Sequence, residues 1–162
     1  MVADGALHSG RLLPAELAEA LVRAAHRRGT PAARRAGAFA DGASESVGEC
    51  RSRVAVHRAG LPAPALQWQV QGVRGLLGRV DFGWEELRTV GEFDGRSKYG
   101  RLLQPGQTAG GAVVAEKIRE DRLRDEGLRV VRWTWDELDR FDVVAAPPAP
   151  SGQDLLTRTP HT

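Results

Sequence analysis

Residues 76–95 read LLGRVDFGWEELRTVGEFDG, and the fold turns on how this stretch is read. Its first half alternates, with Val80, Phe82 and Trp84 on one face of a strand and Arg79 and Asp81 on the other, as the period-two geometry of a strand requires. Residues 88–94 form a second strand, closed by the turn dipeptide Asp94-Gly95. If the two pair as a tight hairpin turning at Glu86 and Leu87, Trp84 faces Thr89 and Asp81 faces Glu92. Directly opposed side chains lie about 4.5–5.5 Å apart at Cβ, where like charges repel. Two carboxylates so placed call for a positive partner. Mg2+ or Mn2+ suits them, because hard cations take carboxylate oxygens and keep part of their water. Asp94 points to the same face as Glu92 and adds a third carboxylate, while Phe93 between them points into the core. Carboxylates on a solvated sheet face are also common without any metal.

Working outward, residues 66–71, LQWQVQ, alternate as a half-buried strand, and the turn GVRG leads into the next. Before them, Val47, Cys50 and Val54 recur at helical spacing, and Gly60 with Pro62 marks the end of that helix. After Gly95 a polar, glycine-containing stretch reaches Gly111, long enough for a functional or mobile loop. Residues 112–127, AVVAEKIREDRLRDEG, read as a helix with Val114, Ala115, Ile118 and Leu123 inward. Glu116, Lys117, Glu120 and Arg124 are expected on its outer arc. LRVVRW makes a fourth strand, and Thr134 with Glu137 forms a capping-box pattern for a last short helix. Helix, three strands, helix, strand, helix is an α/β order. Short turns predict an antiparallel meander, and the fourth strand returns in parallel, so the sheet is mixed and flanked by helices.

The 162 residues allow one sizeable core. Residues 1–43 are expected to hold one helix, over 14–28, and a small-residue connector, TPAARRAGAFADGAS, running on to residue 44. The main domain spans 44–144, and 145–162 has the composition of a disordered tail. Cys50 is the single cysteine, which excludes an internal disulfide and a cysteine-built zinc site. No apolar run approaches the roughly 20 residues that cross a bilayer, and no signal peptide is evident, so no membrane association and a cytoplasmic location are expected. A net charge of +2 and a pI near 9.2 permit nucleic-acid binding without demonstrating it. There is no Walker loop, dinucleotide fingerprint or nucleophile elbow.

Four segments carry a resemblance: SESVGECRSRVAVHRAGLPAP at 44–64, GRVDFGW at 78–84, GEFDGRSKYGRL at 91–102 and AEKIREDRLRDEGLRVVRWTWDEL at 115–138. In this order and spacing they resemble actinobacterial domains of unknown function related to very-short-patch repair endonucleases. The resemblance covers residues 44–140 and implies the restriction-endonuclease-like PD-(D/E)XK superfamily, with its αβββαβ core. It implies that Glu49 is the acidic residue of the first helix, that Asp81 is the motif aspartate and that Glu92 opens the (D/E)XK element. Such carboxylates hold the ion that activates water against a phosphodiester. Asp94 stands where the pattern has its lysine. Ser46-x-x-Glu49 is also a capping-box pattern, which alone would have Glu49 stabilise a helix start.

Lys98 and Lys117 are the only lysines among 23 basic residues. An amine acting on water must be one of them, since arginine stays protonated, and Lys98, four residues past Asp94, is the choice. The candidate catalytic set is Glu49, Asp81, Glu92, Asp94 and Lys98, with the metal on Asp81, Glu92 and Glu49. Arg53, Arg96 and Lys117 are candidates for phosphate contact. The expected activity is metal-dependent endonuclease cleavage of DNA. The alternative is an inactive DNA-binding or regulatory module, as behind the winged helices of abortive-infection antitoxins, of which this chain looks like a shortened relative. Homodimerisation is left open.

Overall fold

In the computed structural model, which describes residues 1–95 and 109–141, the strands form in the expected order. β1 (Ala65–Gly72), β2 (Gly75–Trp84) and β3 (Thr89–Phe93) make an antiparallel meander, and β4 (Arg129–Trp133) lies parallel to β3. Four helices precede the sheet: α1 (Val2–His8), α2 (Pro14–Arg23), α3 (Thr30–Phe39) and α4 (Val47–Arg58). A fifth, α5 (Ala109–Asp125), lies between β3 and β4, and a 3₁₀ helix spans Trp135–Arg140. The result is a mixed α/β fold with a central mixed sheet flanked by helices.

The β2–β3 register is the expected one, Trp84 with Thr89, Gly83 with Val90 and Phe82 with Gly91. The connection is looser than a two-residue turn: residues 85–88 loop out, with Leu87 N donating to Trp84 O at 3.2 Å and Arg88 N to Glu85 O at 2.9 Å. The ladder stops at Phe82 and Gly91. One step further, at Asp81 and Glu92, the strands part, and the Asp81 side chain replaces the backbone acceptor: its Oδ2 takes the Phe93 N–H at 2.9 Å.

Each sheet face has its own core. Phe82, Phe93 and Trp133 pack with Ala55 and Val56 of α4, and α4 comes close because residue 48 is glycine. A Cβ there would stand 1.9 Å from the Phe93 ring. The buried Trp133 indole donates to Ser52 Oγ at 2.7 Å, tying β4 to α4. Val90 and Val130 pack with Leu123 of α5 in the second core. Val80 belongs to this second core and not with Phe82 and Trp84, a departure from simple alternation. The same departure occurs across the ladder: Gln67, between the paired residues Leu66 and Trp68, has φ 49°, and those two neighbours enter different cores.

The orientation of α5 corrects the sequence-based expectation. Leu123 is buried, but Val114 and Ile118 are exposed, while Glu116, Arg119 and Glu120 turn toward the sheet. The sheet there presents Glu92 and Arg132, so charged side chains on the helix find charged partners. The N-terminal connector is also corrected: residues 30–39 form α3, with Pro31 in its first turn and a run of alanines that favours helix. Leu21 of α2 packs over Gly37 of α3. α2 ends at Arg23, short of the expected residue 28. The capping box at Thr134 forms, with Glu137 Oε2 accepting from Thr134 N at 2.8 Å. The expected tail, 145–162, lies outside the described residues.

Candidate functional site

Three elements bring acidic side chains toward the point where β2 and β3 part. Glu49 comes from the first turn of α4, whose start is set by Ser46: its Oγ accepts from Glu49 N at 3.1 Å. The second half of the capping box is displaced by one residue, because Glu49 Oε2 takes the N–H of Glu45 at 2.8 Å. The same oxygen accepts from Gln67 Nε2 at 2.9 Å. Glu49 is therefore both a cap and a buried acid, 8% exposed.

Asp81 is the electrostatic centre of the group. Its carboxyl is pushed up to about 6, by burial first and then by the charges of Glu49 and Glu92, with the Phe93 N–H and Arg79 opposing. No arginine or lysine among the described residues forms an ion pair with it. Arg79, its neighbour along β2, is instead bound through both Nη atoms to Glu45, at 2.6 and 2.9 Å.

Glu92 is in a different situation. Arg132, beside it in the parallel β3–β4 register, meets its Oε2 at 2.8 Å, and Arg119 of α5 meets its Oε1. Both guanidiniums also contact Glu116, and Arg132 Nε lies 3.3 Å from Glu120. Glu116 is held down at about 2, chiefly by its hydrogen bond from Arg119 acting against burial, with help from Arg132. Among the described residues the six carboxylates of Glu45, Glu49, Asp81, Glu92, Glu116 and Glu120 outnumber the four guanidiniums of Arg79, Arg119, Arg124 and Arg132.

Of the residues expected at the site, Glu49 and Glu92 both act electrostatically on Asp81, but the three side chains do not close around a common point. Asp94 follows directly, its N–H donating to Trp133 O at 2.8 Å. Arg96 and Lys98 lie outside the described residues. Lys117 is exposed on α5. Arg53 is placed elsewhere: it is 12% exposed, bonds Asp4 Oδ1 at 2.9 Å and Phe39 O at 2.7 Å, and lies over the Phe39 ring. It joins the N-terminal helices to α4 and is committed there, not offered to a phosphate. Among the described residues no three His, Cys, Asp or Glu side chains stand close enough to enclose a metal ion.

Sequence reading missed Gln67, Arg119 and Arg132. Arg132 had a signal: in LRVVRW it alternates with the core residues Val131 and Trp133, and a parallel pairing with β3 sets it beside Glu92. Arg119 had a weaker one, its three-residue spacing from Glu116. Gln67 had none, because its role depends on a backbone irregularity.

The class this geometry defines is a mixed α/β domain with an acidic cluster at the fork of a hairpin. Among the described residues no helix is long and apolar enough to cross a membrane. No known family model matches the chain, and no solved structure matches it. It is similar to two uncharacterized proteins of Mycobacterium tuberculosis, one from each of two strains. Each is 33% identical over 137 residues, which is 85% of this chain and 48% of the relative. The chain thus spans about half the length of the curated relatives it matches.

Proposed function

We propose that this chain is a metal-dependent endonuclease-like domain of the PD-(D/E)XK type that hydrolyses phosphodiester bonds in DNA, with Asp81 at its centre. One observation carries the reading: Asp81 is half-buried between Glu49 and Glu92, contributed by three different elements, with no described cation paired to it. A half-buried carboxylate beside like charges, with no described counterion of its own, suits a missing cation. The element order from α4 to β4 agrees with the superfamily's αβββαβ core.

The residues fit Mg2+ or Mn2+ by the chemistry of their donors. All are hard carboxylate oxygens, and Mg2+ is ordinarily held by one or two carboxylates and several waters, without a full protein cage. Of the proposed ligands Asp81, Glu49 and Glu92, Asp81 with one of the two glutamates would hold it, since the three do not form a cage. When bound, such an ion lowers the pKa of a coordinated water and stabilises charge on phosphate oxygens. The chain's own part is placement. The Phe93 N–H fixes Asp81, Glu45 N and Gln67 fix Glu49, and Arg119 and Arg132 bring positive charge beside Glu92. Lys98 remains the proposed amine and Asp94 a proposed accessory carboxylate.

Purified chain with Mg2+ or Mn2+ should nick supercoiled plasmid DNA. Asp81→Asn should lower the rate by about a hundredfold or more, exceeding the roughly 10–100-fold that outer-shell partners contribute. Nicking at the wild-type rate by this variant would rule out the assignment.

One observation favours a second reading. Arg119 and Arg132 already neutralise Glu92, as expected of an inactive DNA-binding or regulatory module in a toxin–antitoxin or abortive-infection system. That reading predicts salt-dependent DNA binding, unchanged by chelator and without cleavage.

A further inference from the structure

The net positive charge of the chain is concentrated in one stretch. Between Glu19 and Asp41 there is no acidic residue, while Arg23, Arg27, Arg28, Arg34 and Arg35 all fall there. The rest of the chain carries every one of the 21 acidic residues against the remainder of the 23 basic ones, and is net negative. The stretch folds as a hairpin of α2 and α3. Buried Thr30 donates through Oγ1 to Ala24 O and, at 2.7 Å, to Arg27 O, and Ala33 N donates to Gly29 O at 3.1 Å. The connection is thereby held against the start of α3, with Arg27 and Arg28 at the positive end of its dipole.

Four of these guanidiniums are unused within the chain. Arg23 pairs with Glu19, and exposed arginines elsewhere have acids of their own, Arg51 with Asp139, Arg79 with Glu45 and Arg124 with Glu120. Among the described residues Arg27, Arg28, Arg34 and Arg35 are all exposed, and none forms an ion pair or a side-chain hydrogen bond. On α3, Pro31, Arg34, Arg35 and Ala38 recur at helical spacing and share an exposed face, while Leu21 covers Gly37 on another side. Only small side chains accompany the two arginines on that face. A phosphate backbone can therefore approach closely, and no large apolar group is offered there for a bilayer to bury. The acidic site has the opposite character, since carboxylates outnumber guanidiniums around Asp81 and Arg53 is committed to Asp4. A polyanion brought to that site needs cationic contacts from elsewhere.

We infer that the α2–α3 hairpin is a docking surface for the phosphate backbone of duplex DNA, with Arg27, Arg28, Arg34 and Arg35 as its contacts. Contacts of this kind position the duplex and carry no sequence information. The inference rests on the reading above only in taking DNA as the partner, and it requires neither a metal nor cleavage.

The full chain and its variants are titrated by fluorescence anisotropy against a labelled duplex of about 20 base pairs, in chelator, from about 50 to 200 mM NaCl. The double variants Arg27→Gln/Arg28→Gln and Arg34→Gln/Arg35→Gln should each bind about tenfold more weakly or worse and flatten the salt slope by about two. Glutamine keeps the helix propensity of arginine, so both should melt with wild type. Arg58→Gln/Arg74→Gln removes the same charge from exposed positions elsewhere and should bind like wild type. Wild-type affinity in both hairpin variants overturns the inference and leaves DNA binding to another surface. An equal loss in Arg58→Gln/Arg74→Gln also overturns it, because net charge alone would then account for binding. Affinity lost only alongside a lowered melting temperature overturns it too, by assigning these side chains to the fold. Wild-type chain that ignores the duplex but binds vesicles containing about 30% phosphatidylserine would make the hairpin a membrane contact instead. Wild-type chain that binds neither removes the DNA reading and the inference together. Hairpin-dependent binding without nicking once Mg2+ is added supports the inference and removes the endonuclease reading.

Discussion

The carboxyl of Asp81 titrates at about 6 in the folded chain, raised from 3.8 by burial and then by the charges of Glu49 and Glu92. Because the folded value is the higher one, the native state binds more protons between those two pH values. The associated stability is fully present below the unfolded pKa and is lost as pH rises through about 6. Asp81→Asn keeps an oxygen acceptor for the Phe93 N–H and removes the charge. In chelator at about pH 7.5 this variant should be more stable than wild type by about 1–3 kcal/mol, allowing for screening at a half-buried group. The difference should shrink to nothing by about pH 4. Thermal melts across this range check it, and a pH-independent difference would place the gain somewhere other than ionisation. The substitution that should abolish nicking is thus also expected to stabilise the chain, the usual relation where a site concentrates like charge.

Among the elements, α5 separates what its own sequence announces from what its neighbours decide. Val114, Ile118 and Leu123 all carry apolar side chains, yet only Leu123, fully buried against Val90 and Val130, belongs to the core. Leu123→Ala should reduce stability by about 2–5 kcal/mol, whereas Ile118→Ala should stay within roughly 0.5 kcal/mol of wild type. Denaturant unfolding of both variants tests this, and equal losses would return the helix to the orientation its periodicity suggests. Periodicity misleads here because the β3–β4 face under α5 is charged, and Glu92 and Arg132 draw Glu116, Arg119 and Glu120 inward. The hairpin was legible for the opposite reason. Its register depends on local alternation and a short connection, and Trp84 meets Thr89 even though the loop is longer than supposed. The pairing of the hairpin singled out Asp81 and Glu92, and only the resemblance added Glu49, whose own spacing reads as a helix cap. The partners that restrain them were not, since Gln67 acts through a kink and Arg119 through a packing choice made elsewhere.

At the scale of the whole molecule, Arg53 and Asp4 connect the N-terminal helices to the sheet-bearing part. Both side chains are nearly buried, and the guanidinium also binds Phe39 O at the end of α3. Arg53→Met keeps much of the volume and removes the donors. It should lower stability by roughly 1–3 kcal/mol and raise amide exchange through α1 and α3, with Mn2+ uptake unchanged. Hydrogen exchange followed by mass spectrometry measures this. Unchanged exchange, together with a salt dependence of DNA binding shallower by about one phosphate contact, would reinstate Arg53 as a DNA ligand. A sequence cannot show that an arginine one turn past Glu49 pairs with Asp4, far from it along the chain.

Where α4 crosses β3, the Phe93 ring fills the volume that any side chain at position 48 would need. Helix and strand therefore share a single allotment of space, and it is divided wholly in favour of the strand. As relatives of this chain diverge, the two positions should exchange bulk, an enlarged residue 48 appearing only beside a diminished residue 93. A lineage that broke this rule would tilt Glu49 away from Asp81 before it lost its fold.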